Sequence, residues 1–190
     1  MRKTRVKLWL ACSFCLFTLA GMAQQYDDLE EALQNPLQVI ELELDREDLD
    51  SVPTAIFQFK NLQRLDLSNN ELSELPEGFA KLTKLKYLNL GRNDFTSIPP
   101  VLSQLPELKE LKLNRNPIEE IGPEITAFNQ LQKLDLWKCD IKRLHKNIAE
   151  LKNLQWLDLR QTYLGTKDLK WLIKARPDME VESTFGCNCN

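Results

Sequence analysis

Residues 61–83 read NLQRLDLSNNELSELPEGFAKLT. The first leucine of this stretch, Leu62, recurs as an apolar residue every 23 positions, at Val39, Leu62, Leu85, Leu108, Leu131 and Leu154, without gap or insertion. A constant period in this range marks one supersecondary unit stacked on copies of itself. Within the unit the apolar positions are Leu62, Leu65, Leu67, Leu72, Leu75, Phe79 and Leu82, and Asn70 holds a fixed polar slot. Alternation around Leu65 and Leu67 predicts a half-buried strand, and the later part predicts irregular or helical turns on the opposite side.

Aligned copies read LQRLDLSNNEL, LKYLNLGRNDF, LKELKLNRNPI, LQKLDLWKCDI and LQWLDLRQTYL, with VIELELDREDL from Val39 the loosest. This pattern resembles the leucine-rich repeat family over residues 37–164. The resemblance implies an α/β solenoid of six repeats, with a parallel β-sheet lining the concave face. The Val52-Pro53, Leu75-Pro76 and Ile98-Pro99 pairs resemble the 23-residue Leu-Pro subtype, whereas Gly122 and His145 fill the proline slot in the next two copies. The outer turn is expected to change there.

Both ends depart from the period. Residues 1–23 begin with Arg2, Lys3, Arg5 and Lys7, continue with a mostly apolar run at 8–20, and end in Gly21-Met22-Ala23. This is the three-part layout of a secretory signal peptide cleaved after Ala23. A run of 13 apolar residues falls short of the roughly 20 that span a bilayer. Cys12 and Cys15 fit a lipobox poorly. Residues 24–36 are expected to form an N-terminal helical cap, with Leu29, Ala32 and Leu33 on one face and Asn35-Pro36 ending it. Repeats then occupy 37–165. A C-terminal helix-strand cap and a cysteine-containing tail occupy 166–190, and this cap is similar to that of bacterial leucine-rich repeat proteins.

The chain has 25 basic and 28 acidic residues, and four of the basic ones lie in residues 1–23, leaving 21 against 28, a net charge of −7. That balance argues against nucleic acid and anionic membranes as partners. Cys139, Cys187 and Cys189 remain after the leader, an odd number that makes no disulfide framework. Cys139 falls in the asparagine slot as a small buried filler. Cys187 and Cys189 supply only two ligands, too few to close a metal site, and are expected to be loose or paired between molecules. Asn70, Asn93 and Asn116 are expected to bond backbone groups of neighbouring copies.

No catalytic constellation emerges. His145 is the only histidine, and no Gly-rich phosphate loop, zinc spacing or nucleophile elbow is present. No enzyme activity, cofactor or metal is expected. What differs between copies is the set of residues flanking the strand leucines. Before the first leucine stand Glu41, Arg64, Tyr87, Glu110, Lys133 and Trp156. Between the leucines stand Glu43, Asp66, Asn89, Lys112, Asp135 and Asp158. After the second come Asp45, Ser68, Gly91, Asn114, Trp137 and Arg160, then Arg46, Asn69, Arg92, Arg115, Lys138 and Gln161.

The first copy is acidic, and later ones collect Tyr87, Arg92, Lys112, Arg115, Lys133, Trp137, Lys138, Trp156 and Arg160. Tryptophan, tyrosine and arginine dominate binding energy at interfaces, so these nine form the candidate partner-binding site. Trp137 and Trp156, from neighbouring rows, are expected to make one apolar spot. Alternatively, the basic side chains lie over the rings as cation–π pairs that serve the fold. The expected function is a non-enzymatic protein-binding module resembling exported bacterial leucine-rich repeat proteins, in the periplasm, at the cell surface or secreted. Its expected partner is an acidic protein or peptide, with no membrane insertion after cleavage and a monomeric chain. Asn89, Asp135 and Asp158 near the aromatics keep a glycan ligand open, and the cysteine tail keeps a structural or adhesive envelope role open.

Overall fold

Each copy of the alternating Leu-x-Leu segment becomes a short strand, and the strands stack in register. A computed structural model of the protein describes residues 24–184; the signal-peptide reading of residues 1–23 and the Cys187 and Cys189 tail lie outside the described residues. The strands are β1 (Gln24–Tyr26), β2 (Val39–Glu43), β3 (Arg64–Asp66), β4 (Tyr87–Asn89), β5 (Glu110–Lys112), β6 (Glu120–Ile121), β7 (Lys133–Asp135), β8 (Arg143–Leu144), β9 (Trp156–Asp158) and β10 (Glu180–Glu182). Helices α1 (Leu29–Gln34) and α2 (Thr166–Ala175) lie near the two ends.

One parallel sheet runs β1-β2-β3-β4-β5-β7-β9-β10. Residues 23 apart face each other throughout its middle: Leu65 opposes Leu88, Leu88 opposes Leu111, and Leu134 opposes Leu157. Five single 3₁₀ turns, starting at Thr54, Glu77, Pro100, Pro123 and Lys146, close the opposite side and bury Ile56, Phe79, Leu102, Ile125 and Ile148. Leucines from the strands and apolar residues from the turns form one continuous core. It is a leucine-lined solenoid whose stability comes from stacking rather than from a closed globule.

The polar slot does what its position suggested. Asn93 Nδ2 donates to the carbonyls of Leu67 at 3.0 Å and Leu90 at 3.1 Å, while its Oδ1 accepts the Leu72 N–H at 3.0 Å. Asn70 and Asn116 repeat the arrangement. An amide offers donors and an acceptor from one group, so each asparagine satisfies backbone groups of two copies at once. The series then thins. Cys139 Sγ reaches only the Leu113 carbonyl, at 3.1 Å, and Thr162 Oγ1 donates within its own copy to Leu159 O at 2.8 Å.

The proline slot explains a second change. A proline at position 53, 76 or 99 has no N–H to give a neighbouring copy. His145 does, and its N–H donates to Ile121 O at 2.8 Å. With Gly122 and His145 in place of proline, β6 and β8 pair as a separate two-stranded parallel sheet on the descending side.

The ends differ from expectation in one respect. The helical cap is expected over residues 24–36, but Gln24–Tyr26 form β1, which pairs in parallel with β2. Helix α1 begins only after Asp28, whose Oδ1 accepts the Glu31 N–H at 2.9 Å. At the other end α2 and the edge strand β10 form as expected. Arg176, nearly buried, donates to the carbonyls of Leu151 at 2.6 Å and Leu154 at 2.8 Å. Asp178 holds the same guanidinium, and that contact keeps its carboxyl below the usual range.

Unsatisfied buried backbone groups cost about 1–3 kcal/mol each. Asn93→Ala is therefore expected to lower unfolding free energy by about 3 kcal/mol or more, and Thr162→Ala by under about 1 kcal/mol. Urea denaturation of the two variants checks this, and equal losses would contradict the inter-copy role.

Candidate functional site

The strands are only three residues long over most of the sheet, and this divides the expected site in two. Tyr87, Lys112, Lys133 and Trp156 lie on strands β4, β5, β7 and β9 and project from the concave face. Trp137 and Arg160 lie one residue beyond the second leucine, on the loop leaving the sheet. Arg92, Arg115 and Lys138 follow them, with φ of 56°, 59° and 57°. The same backbone position is left-handed at Arg46, Asn69 and Gln161.

That conformation costs a non-glycine residue roughly 1–2 kcal/mol. It also aims the N–H of Arg92 at Asn114 O, that of Arg115 at Trp137 O and that of Lys138 at Arg160 O, each at 2.8 Å. The inter-copy bond offsets the strain, and the long side chains are turned outward as a rim beside the sheet.

On the face, Tyr87 sits under a guanidinium. Arg64 Cζ lies 3.9 Å from its ring centroid and Lys112 Nζ 5.3 Å away. Arg64 Nε also donates to Glu41 at 2.9 Å, and Lys112 lies 3.8 Å from Glu110. Burial pushes the Tyr87 hydroxyl pKa up, with Lys112 opposing. Trp156 stands between Lys133 and Glu180 in the register.

On the rim, Arg115 Cζ lies 4.5 Å from the Trp137 ring centroid. Its Nε is buried without a hydrogen-bond partner among the described residues. Trp137 also lines a cleft of about 460 Å³ with Arg160, Gln161, Ser183 and Thr184. Arg92 and Lys138 are exposed and make no side-chain hydrogen bond or ion pair among the described residues. Gly91 lies under this rim, where a Cβ would come 2.5 Å from Asn114 Oδ1, the end of a side chain that would turn aside.

Trp137 and Trp156 do not form one spot. The register sets Trp156 opposite Lys133, four residues before Trp137, an offset of roughly 13 Å along a strand. Cation–π contacts of the kind expected as the alternative are present at Tyr87 and at Trp137, and none is found at Trp156 among the described residues. Among the described residues the large exposed aromatics are instead Tyr163 and Trp171, which lie outside the flanking columns.

The acids and amides beside the aromatics are committed to the fold. Asp66, Asn89, Asp135 and Asp158 each accept the N–H two residues on, at 2.8–3.0 Å. Asp158 is buried and grips Arg160 through Nε and Nη2, at 3.0 and 2.6 Å. Burial raises the Asp135 pKa, the Trp137 N–H lowers it and Asp158 raises it again. Lys112 breaks this series, having no acceptor to offer.

At the acidic end, Glu43 is raised by burial and then by Glu41, Asp66 and Asp45. Among the described residues no group of three or more histidine, cysteine or acidic side chains is placed to hold a metal ion, and no helix is long and apolar enough to cross a membrane.

The descriptions of known proteins agree with this geometry. A leucine-rich repeat model matches residues 38–95, and a two-copy leucine-rich repeat model matches residues 83–127. Together the two models cover residues 38–127, and the whole solenoid is structurally similar to bacterial leucine-rich repeat proteins. A leucine-rich repeat protein of Leptospira interrogans is 25% identical with a TM-score of 0.53, over 85% of this chain and 58% of that one.

Internalin C2 of Listeria monocytogenes shares the fold at 24% identity and a TM-score of 0.63, over 85% of this chain and 68% of its own. The APL1 leucine-rich repeat domain is 25% identical with a TM-score of 0.61, over 73% of this chain and 37% of its own. No curated protein matches the chain. The shape matches 429 chains of solved structures, so likeness of fold selects no partner.

Two expectations follow. Burial pushes the Cys139 thiol pKa up to about 12, so no thiolate forms near neutrality. Iodoacetamide followed by mass spectrometry should leave Cys139 unmodified in the folded protein and label it in urea. For Glu43, a raised pKa means that ionisation opposes folding, so stability is lost as pH rises through the carboxylate range. Glu43→Gln should therefore be more stable than wild type at neutral pH, with the gain fading as pH falls through that range in thermal melts.

Proposed function

We propose that the protein is an exported, non-enzymatic binding module of six Leu-Pro-type repeats, released from its leader at residues 1–23, that recognises a carboxylate-bearing segment of a protein partner. The observation that carries this reading is the rim: Arg115 stacked on Trp137, with Arg92 and Lys138 one copy away on either side and unpaired. Stacking uses the face of a guanidinium; with Nε of Arg115 buried, its terminal Nη groups are the ones left for a carboxylate. The left-handed backbone holds the three cations in a line across neighbouring copies, and the cleft beside Trp137 offers room for an adjoining side chain.

A protein partner is favoured over a sugar. Asn89, Asp135 and Asp158, the polar groups that would bind hydroxyls, accept backbone N–H bonds, and Asp158 is also filled by Arg160. Acidic Glu41, Glu43 and Asp45 at the other end of the sheet orient an acidic ligand toward the basic rim by repulsion.

Affinity capture from the native envelope identifies the partner, and titration of variants tests the site. Arg115→Glu and Trp137→Ala should each weaken binding roughly thirtyfold, the cost of losing an interface hot spot of about 2 kcal/mol. Lys174→Glu on α2 should leave it unchanged. Unchanged affinity in both rim variants overturns the reading.

A further inference from the structure

The descending side of the solenoid carries a second groove, distant in character from the rim. Strand β8 pairs with β6 on one edge only. One period later the chain does not supply a third strand, because residues 166–168 form the first turn of α2, opened by Gly165. Asp168 Oδ2 takes the Gly165 N–H at 2.8 Å, and the Asp168 N–H turns back to Gly165 O at 2.9 Å. The far edge of β8 is thus left facing a groove of about 630 Å³ between the small sheet and α2.

Its apolar lining comes from Ile121, Leu144, Leu164 and Trp171. Two of the three large hydrophobic residues exposed among the described residues, Tyr163 and Trp171, stand beside it, with Lys142 Nζ 5.9 Å from the Tyr163 ring centroid. An exposed aromatic beside an unpaired strand edge is a surface prepared for another chain.

The charges say what kind of chain. The acids of the groove are already engaged: Glu119 by Lys142 at 2.6 Å, Glu120 by Arg143, and Asp168 by the Gly165 N–H. His145 is fixed in its turn, its Nδ1 accepting the Asn147 N–H at 3.3 Å. Lys167 at the groove is exposed and unpaired among the described residues, as are Lys170 and Lys174 on the same side of α2. Free lysines therefore flank the open edge on the α2 side, while the Glu124 carboxylate lies over Gly122 on the β6 side.

We infer that this groove binds an extended acidic peptide segment of a partner protein. The segment adds to β8 as a third parallel or antiparallel strand, seats an apolar side chain against Leu144, Leu164 and Trp171, and sets a carboxylate at Lys167. Backbone pairing supplies affinity in such strand addition, and alternate side chains supply selectivity.

The probe is a short peptide alternating glutamate and valine, compared with a lysine–valine counterpart and with a glutamate–valine version N-methylated on alternate residues. Binding is followed by backbone amide NMR of the protein. The inference expects the glutamate–valine peptide to shift the amides of Arg143, Leu144 and the first turn of α2, and the other two peptides to leave them in place. Lys167→Glu should lower affinity roughly fivefold or more, given the exposed ion pair it removes, and Trp171→Ala should lower it as well. Lys167 is at the surface, so its variant keeps the fold, and the amide spectrum of Trp171→Ala away from the groove checks that this variant keeps it too. Arg115→Glu should change nothing here, which separates this groove from the rim. Equal binding of the lysine or N-methylated peptide, or shifts confined to residues elsewhere, overturns the inference.

Discussion

The buried asparagine amide is the interaction on which the rest of the structure depends. Each copy leaves its strand by turning sharply, and that turn strands backbone groups inside the core. Asn70, Asn93 and Asn116 close the account with one side chain that donates to two carbonyls and accepts an N–H from the copy before. Because the partner groups belong to different copies, a 23-residue spacing becomes a mechanical requirement rather than a preference. An insertion of one residue would misplace the amide and its neighbours together.

The same requirement shapes the candidate site. A chain that must turn inward at the polar slot, whether asparagine or Cys139, enters the left-handed region one residue earlier, at Arg92, Arg115 and Lys138. Those side chains are pushed off the sheet to its margin. The concave face is left with Tyr87 beneath Arg64 and with a network of acids that hold the turns. The proposed binding surface is therefore displaced from the middle of the sheet toward its margin, where Arg92 and Lys138 make no side-chain pair among the described residues and Arg115 covers Trp137.

The leucines, the asparagines and the end of the period at residue 164 were all legible in the sequence, because each is a repeated side chain with a repeated environment. The divided site was not. Nothing in the letters Arg, Arg and Lys marks a left-handed backbone, and only Asn69 in that column is a residue type that favours it. Strand β1 was missed because Gln24, Gln25 and Tyr26 join the sheet through their backbone and carry no apolar alternation. The groove beside α2 was hidden for a different reason: Leu144 and Trp171 lie 27 positions apart, in segments that do not resemble each other. Its one sequence signal was the run of Lys167, Lys170, Trp171 and Lys174 on a single helix face.

Substituting histidine for proline at position 145 also acts on the geometry of the arch. A stack of copies curves when the strand side is held at its hydrogen-bonding distance and the opposite side is free to spread. Between the copies containing β5 and β7 both sides are laced, by the β5–β7 pairing on one and the β6–β8 pairing on the other. Paired strands keep the same separation of about 4.8 Å wherever they occur. The spacing of these two copies is therefore set on two sides at once, and a ligand that spans the rim there meets neighbours whose separation is fixed twice.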